Sequence, residues 1–434
     1  YAQAGTPRVT ARGQYDAAAR RYTLTLAQHS DPSPGQPTKL PFVVPVAMGL
    51  LDAGGRDLAA DRLLVLEEGE QSWVFEGIDT PPVPSLLRGF SAPVRLDDGL
   101  DDADRLVLLA HDSDPFNRWE AGQRLMLGRL LAAVASGSAP VLDDALAEAL
   151  RRVLLDPALD PAFKELALLA PGELYIAEQL PVVDPQRIHA VREQWRAQLA
   201  ERLHADWAWA WEAHQVTEGY SPRPAQAGRR ALAHLALGML CLHAVRQGDA
   251  VWPGKAYQRF KDAAHMTDRL GALTALTDAH SPLAEAALER FHALAHGDAL
   301  VLDKWFMLQA RTPEPLGPDA GRAFTRAKAL LKHRDFSMKN PNRVRSLLFT
   351  LCAGNPAAFH RADAAGYVLW ADRLMELDTL NPQVAGRLAR TMDRWAVLAE
   401  PWRSAAREAI ARVAAKPDLS NDVREIVTRA LEQA

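Results

Sequence analysis

The hydrophobic period of this sequence changes once, near residue 100, and a single layer architecture cannot satisfy both parts. Up to about residue 98 the period is two. Arg21-Tyr22-Thr23-Leu24-Thr25-Leu26 alternates polar with apolar or aromatic side chains, as a half-buried strand does, and Arg8-Val9-Thr10-Ala11 reads alike. Phe42 to Met48, Leu63 to Leu66, Gln71 to Phe75 and Phe90 to Leu96 are further short runs of strand character. Turn formers separate them at Asp31-Pro32-Ser33-Pro34-Gly35, Asp52-Ala53-Gly54-Gly55 and Asp79-Thr80-Pro81-Pro82. The pattern predicts a small antiparallel β-sandwich over residues 1–98, with Pro45 and Pro93 at edges or bulges.

Residues 97–104, Asp-Asp-Gly-Leu-Asp-Asp-Ala-Asp, lack the Gly and Glu positions of a calcium loop and read as a solvated linker that caps the next helix. From Asp114-Pro115 onward the apolar residues recur with helical spacing. Segments are expected at 115–134, 142–155, 159–169, 184–212, 224–247, 266–279, 282–296, 299–310, 319–332, 341–352, 366–378, 382–398, 401–414 and 420–433. Their short connections and the lack of a fixed period predict a large, irregular α-helical solenoid over residues 99–434. Trp207, Trp209 and Trp211 would put two rings on one helical face and one on the other, as on a helix packed on both sides.

Composition narrows the classes. With 50 basic against 54 acidic residues and a net charge of −4, the chain is a poor nucleic-acid binder. Two cysteines, Cys241 and Cys352, are too few for a disulfide framework and favour a reducing compartment, and their apolar neighbours predict inert thiols. No apolar run reaches the roughly 18 residues of a membrane span. The chain starts with Tyr1 and enters strand character within a few residues, which reads as a piece of a longer polypeptide.

Elimination removes most catalytic chemistry. None of the thirteen histidines is followed by Glu, so the zinc-protease helix His-Glu-x-x-His is absent. His292 and His296 share a helical face but lack the general-base Glu, so no metal site is expected there. Gly254-Lys255 is followed by Ala256, which removes the phosphate loop, and the dinucleotide and nucleophile-elbow motifs do not occur.

Three Asn-Pro pairs, at residues 340–341, 355–356 and 381–382, have the form of helix starts. After the first, a step of about 100° per residue puts Arg343 on the polar side with Ser346 and Thr350, and Arg345 at the edge of the apolar arc. Arg345 there either pairs with an internal carboxylate or points into a cavity or partner surface. Arg387 borders an apolar side carrying Val384, Leu388, Trp395 and Leu398, and Arg390 and Arg394 continue its row.

These segments resemble the C-terminal half of the bacterial aminopeptidase N family, the zinc alanyl aminopeptidases. The likeness runs along essentially the whole chain. It includes Tyr1 to Pro7, Phe90-Ser91-Ala92-Pro93-Val94, Phe116 to Ala121, Asp303-Lys304-Trp305-Phe306, Asn340 to Leu347, Asn355 to His360 and Asn381 to Leu388. The resemblance implies an N-terminal domain and a zinc-bearing catalytic domain ahead of Tyr1, which would be this chain's partners along with peptide substrates. It implies that residues 1–98 are a spacer and 99–434 a helical cap enclosing the active-site chamber. It implies that Arg345 and Arg387 face the bound peptide, that this portion supplies no catalytic group and binds no cofactor while its parent holds zinc, and that the protein is cytoplasmic, with no membrane or nucleic-acid partner. The alternative class is a stand-alone helical-repeat interaction module.

Overall fold

A computed structural model of the 434-residue chain describes residues 3–295 and 297–432. The chain divides into two compact units, residues 1–128 with 142–169, and residues 129–141 with 170–434.

The first unit begins with strands β1 (Arg8–Asp16), β2 (Arg21–His29), β3 (Val44–Leu51), β4 (Asp57–Leu66), β5 (Glu70–Glu76), β6 (Val83–Leu86) and β7 (Arg95–Asp97). They form two sheets, ordered β5-β2-β1-β7 and β4-β3-β6. Pairing is antiparallel except for β7, which lies parallel to the start of β1. Alternation sorts the side chains. Val9, Ala11, Tyr22, Leu24, Leu26 and Phe75 of one sheet meet Val44, Val46, Met48, Leu50, Leu64 and Leu66 of the other in one core. Each large apolar side chain buried there contributes roughly 1.5–3 kcal/mol.

Pro45 lies in β3, the central strand of its sheet, yet beyond the reach of β6, whose pairing with β3 stops at Met48. The Ser91 hydroxyl serves that stretch instead, donating to the Pro45 carbonyl at 3.0 Å and accepting from the Ala47 amide at 3.0 Å. Strand β6 was hidden from the periodicity because all four of its residues are buried, so nothing alternates.

Helices α1 (Asp102–His111), α3 (Asp144–Leu155) and α4 (Pro161–Leu168) lie in this unit, as does α2 (Pro115–Ser136) up to residue 128. α1 starts inside the acidic stretch assigned to a linker, because Asp101 accepts the Asp104 amide at 2.9 Å and caps it. A buried polar knot sits behind β3. Arg88 donates to Ser85 at 2.9 Å and to the fully buried Asp112 at 3.1 Å, and Asn117 donates to Ser85 at 2.7 Å and to the Leu86 carbonyl at 2.9 Å. Gly49 is the residue that lets the guanidinium in, since a Cβ there would lie 2.4 Å from its central carbon.

The second unit is helical throughout. The expected 184–212 helix is two, Pro185–Arg202 and His204–Ala213, broken at Leu203, where ψ turns to 24°. Trp207 is fully buried, whereas Trp209 is exposed, so the second of these helices packs on one side rather than two. Helix Val251–Asp262 escaped notice because Trp252-Pro253-Gly254 reads as a turn, although Pro is tolerated in a first helical turn. The expected 382–398 helix stops at Ala389 and continues as two short 3₁₀ turns, Arg390–Met392 and Trp395–Val397.

All three Asn-Pro pairs open helices. Asn340 accepts from the amides of Asn342 and Arg343 at 3.0 and 3.2 Å, Asn355 from Ala358 at 3.3 Å and Asn381 from Val384 at 3.1 Å. Asn355 does more. Its buried amide group also donates to the carbonyls of Ala310 and Thr312, at 3.0 and 2.8 Å, at the end of helix Ala299–Arg311. One side chain therefore satisfies the orphan acceptors of one helix end and an orphan donor of another helix start. Cys241 and Cys352 are buried and unpaired, and burial pushes the Cys241 thiol up to about 12.

Candidate functional site

The segment carrying the first predicted arginine is not a regular helix. Pro341–Val344 is α-helical, Arg345–Phe349 forms one π-helical turn, and Thr350–Gly354 is α-helical again. A π turn inserts one residue into the helical period and rotates everything after it relative to an unbroken helix. The expected division of the arginines is reversed by their partners. Arg343, assigned to the polar side, is only 4% exposed. Its Nε donates to Asp303 at 2.6 Å, its Nη1 donates to the Asp335 carbonyl, and its guanidinium lies 4.9 Å from the centre of the Phe306 ring. Arg345 is exposed instead and donates to Asn342 Oδ1 at 2.9 Å. Of the two readings left open for Arg345, the internal ion pair belongs to Arg343. Among the described residues no carboxylate pairs with Arg345.

Arg387 is also exposed, on helix Pro382–Ala389, whose apolar side is anchored by Val384, Ala385 and Leu388. The Leu388 carbonyl receives the indole N–H of the fully buried Trp370 at 3.0 Å. Among the described residues no acidic group pairs with Arg387. Its row continues to Arg390 and Arg394, which line the rim of a cavity of about 240 Å³ with an apolar wall that includes Val183, Ile188, Met392, Trp395 and Leu398. Sequence reasoning singled out the two exposed arginines but missed Asp303 and Asp335, because both act on Arg343 from distant segments. The only signal was the Asp303-Lys304-Trp305-Phe306 block, which supplies the carboxylate and the ring together.

A second charged cluster joins three helical segments around His189, which is 2% exposed. Its Nδ1 lies 2.7 Å from a Glu173 carboxylate oxygen and its Nε2 lies 2.7 Å from the Glu314 carbonyl. Both partners are acceptors, so both ring nitrogens carry hydrogen and the imidazole is cationic. Burial opposes that charge, but the hydrogen bond and the attraction from Glu173 overcome it and raise the pKa above the usual 6.5. Glu314 in turn receives the amides of Gly321, Ala323 and Phe324 at 2.9, 3.0 and 3.2 Å, capping helix Arg322–Leu330 from outside it. A histidine with a raised folded pKa contributes stability that is complete below the unfolded value of about 6.5 and is lost as pH rises through the folded value. The denaturant midpoint of the chain should therefore fall as pH rises above about 6.5, and His189→Gln should flatten that fall. A slope unchanged in the variant would count against the cationic ring.

His292, expected to share a face with His296, instead meets Asp335, whose carboxylate lies 2.8 Å from His292 Nε2. His296 lies outside the described residues. No helix among the described residues is long and apolar enough to cross a membrane.

A small β-sandwich followed by a large irregular helical array defines a multidomain, β-then-all-α class of protein. Two family models match, one described as a domain of unknown function, DUF3458, with an Ig-like fold, over residues 5–99, and its companion, described as ARM repeats, over residues 102–432. The chain belongs to this DUF3458 family. It is 39% identical over 438 residues to aminopeptidase N of Caulobacter vibrioides, covering 99% of this chain and 49% of that protein. It is 33% identical over 441 residues to aminopeptidase N of Escherichia coli, again covering 99% of this chain and 49% of the relative. Among solved structures, Legionella pneumophila aminopeptidase A in complex with aspartic acid matches with a TM-score of 0.83 and 26% identity, over 100% of this chain and 49% of that one. The chain thus spans about half the length of the relatives it matches, and that half is the C-terminal one.

Proposed function

We propose that this chain is the non-catalytic C-terminal portion of a cytoplasmic zinc aminopeptidase, in which residues 1–98 act as a spacer and residues 99–434 as a cap that limits access to the peptide-cleaving site. The observation that carries this reading is the match of essentially the whole chain to about half of each aminopeptidase N. The zinc chemistry belongs to the other half. No histidine here is followed by Glu, so these residues do not fit the family's zinc helix, and no step of hydrolysis runs through them. Unpaired buried thiols agree with a reducing compartment.

Arg345 and Arg387 are the groups in this portion that meet the peptide. Both present guanidinium groups to solvent and neither is neutralised by a carboxylate among the described residues, so each is available to a peptide carbonyl or C-terminal carboxylate. A hydrogen bond to a charged group contributes about 1.5–3 kcal/mol, which corresponds to about a 10- to 150-fold change in affinity. In the full-length enzyme, Arg345→Gln and Arg387→Gln should each raise KM for peptides by at least about tenfold, with little change in kcat and little effect on a short chromogenic amide. Equal kinetics for wild type and both variants on long peptides would remove the two arginines from the reading. The 434-residue chain alone, supplied with Zn²⁺, should show no turnover, and measurable aminopeptidase activity from it would overturn the non-catalytic assignment.

A further inference from the structure

Spacing along the sequence offers His292 only His296, but the fold brings other ligands to it. His292 on helix Ala284–Ala295 meets His333 and Asp335 of the turn before Asn340, and the three ligand atoms all lie within 4.8 Å of one another. We propose that His292, His333 and Asp335 form a binding site for a zinc ion, a two-histidine, one-carboxylate site with room for water.

Geometry supports the assignment first. Tetrahedral zinc with bonds of about 2.0–2.1 Å holds its ligand atoms about 3.3 Å apart. Asp335 Oδ2 lies 2.8 Å from His292 Nε2 and 3.7 Å from His333 Nδ1, so the two separations straddle that value. The donors are nitrogen, nitrogen and oxygen, a set that suits zinc better than calcium or magnesium.

The rings are also held in place. Trp305 lies against both imidazoles, with centroids 4.7 Å from His292 and 5.0 Å from His333, and its indole N–H is tied to the Leu288 carbonyl at 2.9 Å. Arg343 fixes the backbone of the turn through the Asp335 carbonyl. Side-chain exposures of 20%, 27% and 31% leave an entry path from solvent. Binding would replace the His292 to Asp335 hydrogen bond and the contact of 3.2 Å between the Asp335 amide and His333 Nδ1. Arg334 Nε, 3.8 Å from the same carboxylate, is on a side chain 83% exposed and free to swing out. The other cluster with ligand spacing, Glu173, His189 and Glu193, does not compete. Both His189 nitrogens are already used, and Arg196 lies 2.8 Å from Glu193.

The test is zinc titration of the chelator-stripped 434-residue chain against a chromogenic competitor, with metal content measured after dialysis. Wild type should retain one zinc per chain. His292→Ala and Asp335→Asn should each weaken binding at least about tenfold, the lower end of what disturbing a metal site does. Asp335→Asn keeps a hydrogen-bonding group of the same shape, so it stays informative if His292→Ala fails to fold. Wild type that retains no zinc, or variants that bind as tightly as wild type, would overturn the site.

Discussion

Asp303→Ala should lower the stability of the helical unit by about 3–5 kcal/mol, because it strips the carboxylate from a guanidinium that has no route to water. Arg343 is 5% exposed at its side chain and Asp303 is 16% exposed, so the guanidinium end of the pair is shielded from solvent while the carboxylate end is partly open to it. What remains after the substitution is a cation over the Phe306 ring and a hydrogen bond to the Asp335 carbonyl. Those contacts offset only part of the desolvation, since cation–π attraction is worth about 0.5–2 kcal/mol. Two further variants separate the sources of the loss. Asp303→Asn keeps an acceptor and should cost less than Asp303→Ala, and Arg343→Met, which removes the charge with its partner still in place at the half-wet end, should also cost less. The check is a urea midpoint followed by far-ultraviolet circular dichroism. A midpoint for Asp303→Ala matching less than about 1 kcal/mol would mean that Arg343 reaches solvent after all.

Gly366→Ala should be destabilising by about 3 kcal/mol or more, the upper part of the overpacking range. The sign is the point of interest. Alanine ordinarily favours a helix over glycine by about 0.8–1.0 kcal/mol. At Gly366, in the first turn of helix Ala365–Leu380, a Cβ would lie 1.9 Å from the Phe359 carbonyl oxygen, and backbone cannot give way as a flexible side-chain tip can. Gly238, inside helix Pro224–Gln247, has nothing within 4 Å of such a Cβ, so Gly238→Ala should stabilise by up to about 1 kcal/mol. Thermal melts of the two variants against wild type check both directions, and a neutral Gly366→Ala would show that the chain around Phe359 can relax.

The sequence disclosed whatever depends on neighbours along the chain. Alternation found β1 and β2, short apolar runs between turn formers found β3 through β5, and Asn before Pro found the starts of three helices, since the cap, the extended backbone and the amide it serves all lie within four residues. What stayed hidden depends on distant partners. Asp303 and the Asp335 carbonyl hold Arg343 inward while Arg345 stays outside on Asn342, the opposite of what the polar and apolar neighbours along the segment suggest. His292 illustrates the same limit. The spacing along the sequence pointed to His296, while the partner described in the structure, Asp335, comes from another segment. The break after Ala389 was equally invisible, because the apolar residues of 390–398 keep an approximately helical rhythm inside 3₁₀ turns.

The Asn355 corner restricts what can replace asparagine. The side chain there must offer two hydrogens to the Ala310 and Thr312 carbonyls and one lone pair to the Ala358 amide, all at short reach. Aspartate would set like charge density against two carbonyl oxygens, serine is too short to span both, and glutamine overshoots the amide. One letter of the amino-acid alphabet satisfies all three groups, so any replacement at this joint leaves at least one of them unpaired.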